Sequence, residues 1–382
     1  MKAIINGKLV FPERVISGNL LIDGERIVAS GNVDIPACAE IIDAAGLYVG
    51  PGFVDEHSHG YQQYCESLSV KVDPAAVAAA HLKHGTTTYI PSTDYADSSA
   101  DHVHTVQMCI KAMVSGENTS IMGIHLEGPF INRELGSNSE SAMNYSDVFC
   151  EKLFSMASPY VRQCTYAPEL PTAQKVEEKL RKYGITPAIG HTNAGPKDIE
   201  RAVAYGAKIA THLFDASSNY QGVGKAAERT QHPQECTADI LLAIPGLYYE
   251  LICDSMGRHV TKYNVCEAYR AAGEDHIILI SDTFAEETPQ KEELDVNYDA
   301  AGTLSGSRLC LAMAARNFIR FTGVDIRVVF KCASTNAAKA MQLFDSVGSI
   351  EAGKLANIVF VDPSFFVKKV FFKGKEVMEV RA

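Results

Sequence analysis

Six side chains of this sequence could together hold a metal ion and activate a water beside it: His57, His59, Glu127, His191, His212 and Asp282. The stretch Pro51–Gly60 reads as a short apolar strand ending in His-x-His. Alternate residues of a strand share a face, so His57 and His59 point the same way and can grip one ion. The other four each sit at the end of an apolar β-type run, in Leu126-Glu127-Gly128-Pro129, Gly190-His191-Thr192, Thr211-His212-Leu213 and Ile280-Ser281-Asp282. Each alone has a plainer role open to it. A lone histidine is more often hydrogen-bonded in a core, Glu127 could cap a helix or pair with a lysine, and Asp282 could cap a following helix. Five strand ends decorated together point instead to one metal site.

Imidazole and carboxylate ligands suit zinc, and also iron(II) or manganese. A catalytic ion keeps a position open for water, whose pKa falls on binding from ~15.7 to about 7. A carboxylate beside it can take that proton and later hand it to a leaving nitrogen. Asp282 is expected in that role, close to the metal. Glu127 is expected to be a ligand, and the bridge between ions where there are two.

These residues need a scaffold that carries strand ends to one rim. Between about 50 and 346, short apolar runs alternate with helical patterns. The runs are Phe53–His59, Thr86–Ser92, Ile121–Glu127, Val161–Glu169, Thr186–His191, Ala207–His212, Leu247–Asp254 and His276–Asp282. Helical candidates include Pro74–His84, Ala173–Tyr183, Pro196–Tyr205, Thr261–Ala272 and Ser307–Thr322. Eight such repeats fit an α/β fold of the (β/α)8 TIM-barrel type, with its chemistry at the C-terminal ends of the strands. A doubly wound sheet would share the alternation, but no Gly-x-Gly-x-x-Gly follows the first strand.

The two ends of the chain read as strands and turns. Asn6-Gly7 signals a hairpin between Ala3-Ile4-Ile5 and Lys8–Phe11, and Asp23-Gly24 repeats the device. Near the other end, Asn357–Val361 is a strand, and Val367–Phe372 and Glu376–Val380 flank Lys373-Gly374-Lys375 as a further hairpin. Either set is too small to stand alone. The expected organisation is residues 1–49 and 347–382 pairing into one small β-sandwich, with residues 50–346 forming the barrel.

Composition bounds the partners. Hydrophobic residues make up 46% and charged residues 21%, as in an ordinary globular enzyme. The 35 basic and 46 acidic residues leave a formal charge of −11, which argues against nucleic acid or an anionic membrane as partner. No apolar run reaches the length of a membrane span, and the opening residues lack the apolar core of a signal peptide. The ten cysteines are scattered without a Cys-x-x-Cys, which fits reduced thiols in the cytoplasm.

On these residues the chain resembles the amidohydrolase superfamily, in its N-acetylglucosamine-6-phosphate deacetylase branch. The resemblance is carried by Pro51–Gly60, His125–Asn132, Tyr166–Glu169, Gly190–Ala194, Ala210–Phe214, Leu279–Asp282, Gly302–Ser307 and Gly348–Asn357. It implies that Glu127, His191 and His212 hold the main metal, that His57 and His59 help to hold a second, and that Asp282 is the acid/base. Members without the His-x-His pair work with one ion, so one or two are implied. Removal of an acetyl group from an N-acetyl amino sugar phosphate is the implied activity, by attack of metal-bound hydroxide on the amide. A homodimer is implied as well, with the neighbour completing the phosphate site. Ser305 lies in the segment that lines the sugar side.

This chain departs from the family at several points. Where the family carries a histidine that polarises the acetyl carbonyl, the segment here is Asn132–Asn138, and Asn138 falls near that place. The family's Asn-Ala after Thr-His-Leu-aromatic is Asp215-Ala216, which adds a negative charge. The arginine that serves the phosphate is absent, with Gln221, Lys225 and Arg229 nearby. Asp-Gly-x-His-Val becomes Asp254-Ser255-Met256-Gly257-Arg258-His259-Val260, in which His259 is expected to touch the substrate and Arg258 to add charge. The metal chemistry survives these changes and the phosphate signature does not. The alternative is therefore an amidohydrolase acting on another N-acyl amine, N-acyl amino acid or cyclic amide. A non-catalytic descendant of the fold is disfavoured, because all six metal-site residues are present.

Overall fold

The computed structural model of the protein describes residues 1–61, 64–65, 73–93, 99–115, 119–136, 142–217, 236–284, 295–298 and 302–379. Eight parallel strands form the central sheet in chain order: Phe53–Ser58, Thr86–Thr93, Ile124–Glu127, Val161–Tyr166, Thr186–Ile189, Ile209–Ala210, Tyr248–Leu251 and Ile277–Leu279. All eight expected runs are there; six stop short where their last residues turn into the rim, the second runs one residue further, to Thr93, and the third begins only at Ile124. The two edges meet at that rim: Asp282 N donates to His57 O at 2.9 Å, and His59 N to Thr283 O at 2.9 Å. The sheet thus closes on itself as a (β/α)8 barrel, through the very residues whose side chains matter.

A helix follows each strand: Pro74–Leu82, Ser99–Ser115, Asp147–Ala157, Ala173–Tyr183, Pro196–Ala204, Thr237–Ala243, Lys262–Ala272 and Leu311–Thr322. Local chemistry sets their ends. Asp73 accepts from Ala75 N ahead of Pro74, and Thr261 accepts from Asn264 N, so each supplies a partner for an otherwise orphaned first-turn amide. Ala173–Tyr183 buries Ala173, Val176, Glu177 and Leu180, one stripe at helical spacing, and stops at Gly184 in the left-handed region, φ 68°. Its buried Glu177 is satisfied by the Tyr166 hydroxyl at 2.9 Å. The expected helix from Ser307 starts only at Leu311, because Leu304–Ser307 pairs as a strand with Val296–Tyr298.

The two chain ends come together, as expected of a small β-sandwich, in one continuous eight-stranded sheet. Its path runs Lys375–Glu379, Val367–Phe372, Ile358–Val361, Tyr48–Pro51, Lys2–Val10, Val15–Asp23 and Arg26–Gly31, with Glu40–Asp43 also on Lys2–Val10. The two ends join where Val359 pairs with Gly50. Ile4, Leu9, Leu20, Ile22, Ile358 and Phe360 belong to a core separate from that of the barrel. The Asn6-Gly7 hairpin does not form. Lys2–Val10 is one strand with a bulge there, Asn6 having φ 54°. The carbonyls of Ile5 and Asn6 accept from Ala44 N and Gly46 N, both at 2.8 Å, so they are not available to close a turn. The chain reverses later, at Phe11–Arg14. Asp23-Gly24 and Lys373-Gly374 do make their turns.

Sheet and barrel are fastened by a helical segment spanning Ile326–Phe330, a π-turn at Lys331–Thr335 and Asn336–Ala340. Ser334 Oγ donates to Gly52 O and Asn336 Nδ2 to Ile277 O, both at 2.7 Å. A Cβ at Gly50 would lie 2.4 Å from the Phe330 ring, so only glycine allows this approach. Gly50→Ala is expected to destabilise the protein by ~1–3 kcal/mol through overpacking. The measurement is denaturant unfolding, and an unchanged midpoint would show that the ring moves aside freely.

Candidate metal centre

Five of the eight strand ends deliver one or two groups each to the same point. His57, His59, Glu127, His191, His212 and Asp282 are all buried, none more than 7% exposed. Glu127 is the focus. Its Oε1 lies 2.9 Å from both His191 Nε2 and His212 Nε2 and 3.2 Å from His57 Nε2, and its Oε2 lies 3.0 Å from His59 Nε2. Two ligand groups result, His57–His59–Glu127 and Glu127–His191–His212, with Glu127 common to both. Asp282 Oδ1 stands 3.3 Å from His59 Nε2 and 3.5 Å from His57 Nε2.

The backbone bends to make this possible. His191, His212 and Asp282 have φ of 46°, 26° and 44°, a left-handed conformation that side-chain-bearing residues rarely adopt. On the first strand the register slips between Asp55 and Ser58, a bulge that re-aims the side chains just before the rim. Gly136 meets His191 so closely that a Cβ would lie 2.6 Å from its Nδ1.

The donor set fits a divalent ion. Three imidazoles are held by Nδ1 on an acceptor: His57 on Glu250 Oε2 at 2.9 Å, His191 on Leu135 O at 3.2 Å and His212 on Asp215 O at 3.2 Å. A proton on each Nδ1 leaves Nε2, the atom that faces Glu127, to take either a second proton or a metal ion. His191 Nε2 and His212 Nε2 are only 3.1 Å apart, and His57 Nε2 is buried without a well-formed hydrogen bond. The electrostatics match. Burial works against protonation of His57, but Glu127, Glu250 and Asp282 outweigh it and hold its pKa well above the ordinary value. His212, buried but beside Glu127, is pushed up to about 9. Burial acts against ionisation of Glu127 and Asp282, yet the surrounding histidines hold both well below the carboxylate range. Without metal, the pocket stores protons in place of a cation.

The residues expected on the substrate side lie around this centre. His259 is buried, its Nδ1 on Asp254 Oδ2 at 3.1 Å and its Nε2 on Gly306 O at 3.1 Å, so both ring nitrogens are engaged. Asp254 also accepts from the amides of Met256, Arg258 and His259, which gives the loop with two extra residues its shape. Arg258 is exposed. Asp215 is next to the ligand shell, its carboxylate accepting from Ala216 N at 3.0 Å, and Ala216 O accepts from Thr192 N at 3.2 Å. Ser305 is buried and its carbonyl accepts from Asn297 Nδ2 at 3.1 Å. Asn138, Gln221, Lys225 and Arg229 lie outside the described residues.

A profile of the Amidohydrolase family spans residues 48–377 of this chain. The chain belongs to the amidohydrolase family. Among relatives, the N-acetylglucosamine-6-phosphate deacetylase of Homo sapiens is 27% identical over 398 residues, covering 98% of this chain and 94% of its own. That of Caenorhabditis elegans is 27% identical over 360 residues, covering 88% and 84%. Among solved structures, the N-acetylglucosamine-6-phosphate deacetylase of Pasteurella multocida superposes with a TM-score of 0.85 at 25% identity, covering 98% of this chain and 99% of that one. A Mycobacterium smegmatis deacetylase variant in complex with N-acetyl-D-glucosamine-6-phosphate gives a TM-score of 0.83 at 25% identity, covering 98% of each chain.

The amidohydrolase centre also contains residues that motif reading passed over. Glu250 holds His57. His125 is buried between Ser92 Oγ at 2.8 Å and Thr165 Oγ1 at 2.9 Å, its ring centroid 4.5 Å from that of His57. Burial keeps His125 well below the ordinary histidine pKa, so it is neutral. A sequence signal existed for Glu250: an acid inside the apolar run Leu247–Asp254 is costly to bury without a partner.

The stored protons make a prediction. Metal must displace them, so zinc binding to the metal-free protein at pH 7.5 is expected to release protons, the His212 share fading once pH rises past about 9. A raised folded-state pKa stabilises the metal-free protein below the ordinary histidine value, and that stabilisation is lost as pH climbs through about 9. Calorimetry in buffers of different ionisation enthalpy reads the release; none at pH 7.5 would refute the assignment.

Proposed function

We propose that the protein is a metal-dependent hydrolase that removes the acetyl group from an N-acetyl amino sugar phosphate. The observation that carries this reading is Glu127 shared between two imidazole pairs, with the Asp282 carboxylate 3.3 Å from His59 Nε2. The relatives named for this deacetylation, similar over nearly the whole chain, support the substrate class.

Glu127, His191 and His212 would hold one ion, zinc by preference of the donor set, and His57 and His59 with Glu127 a second. A divalent ion bound in such a shell supplies Lewis-acid activation of water and of the acyl oxygen. The protein's own groups do the rest. Asp282, ionised because its neighbours depress its pKa, takes the proton of the attacking water at Oδ1. It then passes that proton to the amide nitrogen as the C–N bond breaks, releasing acetate and the amine. Asn138 is assigned to the acyl oxygen as a hydrogen-bond donor. His259, Arg258, Asp215, Ala216 and Ser305 are assigned to the sugar side, and a homodimer working in the cytoplasm completes the reading.

A second reading is favoured by one observation. Asp215 sits against His212, with its backbone carbonyl on the ring. An acid there repels an anionic substrate and favours a neutral or cationic N-acyl compound.

Asp282→Asn is expected to lower kcat by about 10²–10⁴-fold while leaving metal content unchanged. Retained turnover would remove Asp282 from the chemistry. Acetate release from N-acetylglucosamine 6-phosphate, with the unphosphorylated sugar in parallel, decides the substrate. Preference for the phosphorylated sugar supports the first reading; turnover of neither by metal-loaded protein shifts the assignment to other N-acyl compounds.

A further inference from the structure

Glu250 is fully buried on the seventh barrel strand. One of its oxygens, Oε2, takes two hydrogen bonds from opposite halves of the centre: His57 Nδ1 at 2.9 Å and the backbone N of His212 at 3.1 Å. The other, Oε1, is 3.5 Å from Gln163 Nε2, which also reaches Glu56 O at 3.3 Å. The two metal subsites do not depend on this carboxylate equally. His212 has its ring tautomer set independently, by Asp215 O, and His191 by Leu135 O. For the His57 ring, Glu250 is the acceptor at Nδ1.

We infer that Glu250 is the positioning residue that makes the His57–His59 half of the centre a metal subsite, so that this chain binds two ions where it would otherwise bind one. An anionic acceptor on Nδ1 fixes the proton there, aims Nε2 at Glu127 and strengthens the imidazole as a donor. Loss of Glu250 frees the His57 ring to take the other tautomer, which places a proton where the ion must bind. The Glu127–His191–His212 subsite keeps its tautomers and loses only one backbone contact. The inference rests on the metal-centre reading above but not on the substrate.

The test is stepwise zinc titration of metal-free protein against a chromophoric chelator, with bound metal counted by elemental analysis. Wild type is expected to bind two ions. Glu250→Leu is expected to bind one, like a His57→Ala control. Glu250→Gln keeps an acceptor without the charge, and is expected to bind both ions with the weaker affinity reduced about 10–100-fold and the tighter one unchanged. This split between affinities is something a general loss of packing would not produce. Wild type with a single ion, variants with two wild-type affinities, or equal weakening of both sites would each overturn the inference. Should Glu250→Leu fail to fold, Glu250→Gln decides by the same split. Two bound ions without deacetylation of any sugar would count against the substrate reading and leave this one standing.

Discussion

A single carboxylate facing four imidazoles governs this molecule. A buried negative charge is expensive unless positive charge surrounds it, and Glu127 is almost wholly shielded from water. Its charge in turn holds the pKa of His57 and His212 up, and the four ring nitrogens that face it are placed to receive a cation. Everything close by serves their aim: loop carbonyls at Leu135 and Asp215, the Glu250 carboxylate, and the closing hydrogen bonds between the first strand and Asp282.

That aim is achieved against local preference. Left-handed backbone at His191, His212 and Asp282 and a bulge before His57 are conformations a chain avoids unless its surroundings impose them. The barrel imposes them by fixing each strand up to its last residue and letting the chain turn sharply beyond it. Rigid strands with strained ends suit a site that must not reorganise when charge moves.

Much of this was legible in the residues. Eight apolar runs at regular spacing announced the barrel, and chemistry-bearing residues at run ends announced the rim. The limits have physical causes. Asn6-Gly7 has the composition of a hairpin, but the segment 43–47 takes the carbonyls that a turn would need, a non-local contact that dipeptide chemistry does not contain. Glu250 belongs to no motif and His125 opens one without a role being read for it, because their work is done through neighbouring side chains. His259 is singled out by position, but that its ring would span Asp254 and Gly306 depends on the fold of two distant segments. The charge of the substrate is the least legible feature, since one acid at 215 weighs against relatives that take a phosphorylated sugar.

Joining the sheet at Gly50 and Val359 sets a timetable for the newborn chain. The strand at 48–51 leaves the ribosome 309 residues ahead of its partner (359 − 50), and translation at ~5–20 residues per second makes that roughly 15–60 s. For that interval the side of Tyr48–Pro51 that Ile358–Val361 will cover is an open edge, the kind of feature that invites mispairing. Lys2–Val10, Val15–Asp23 and Arg26–Gly31 can zip together at once, but the barrel they lean on is still emerging. The sheet is therefore a late seal, and the chain carries an open strand edge through most of its own synthesis.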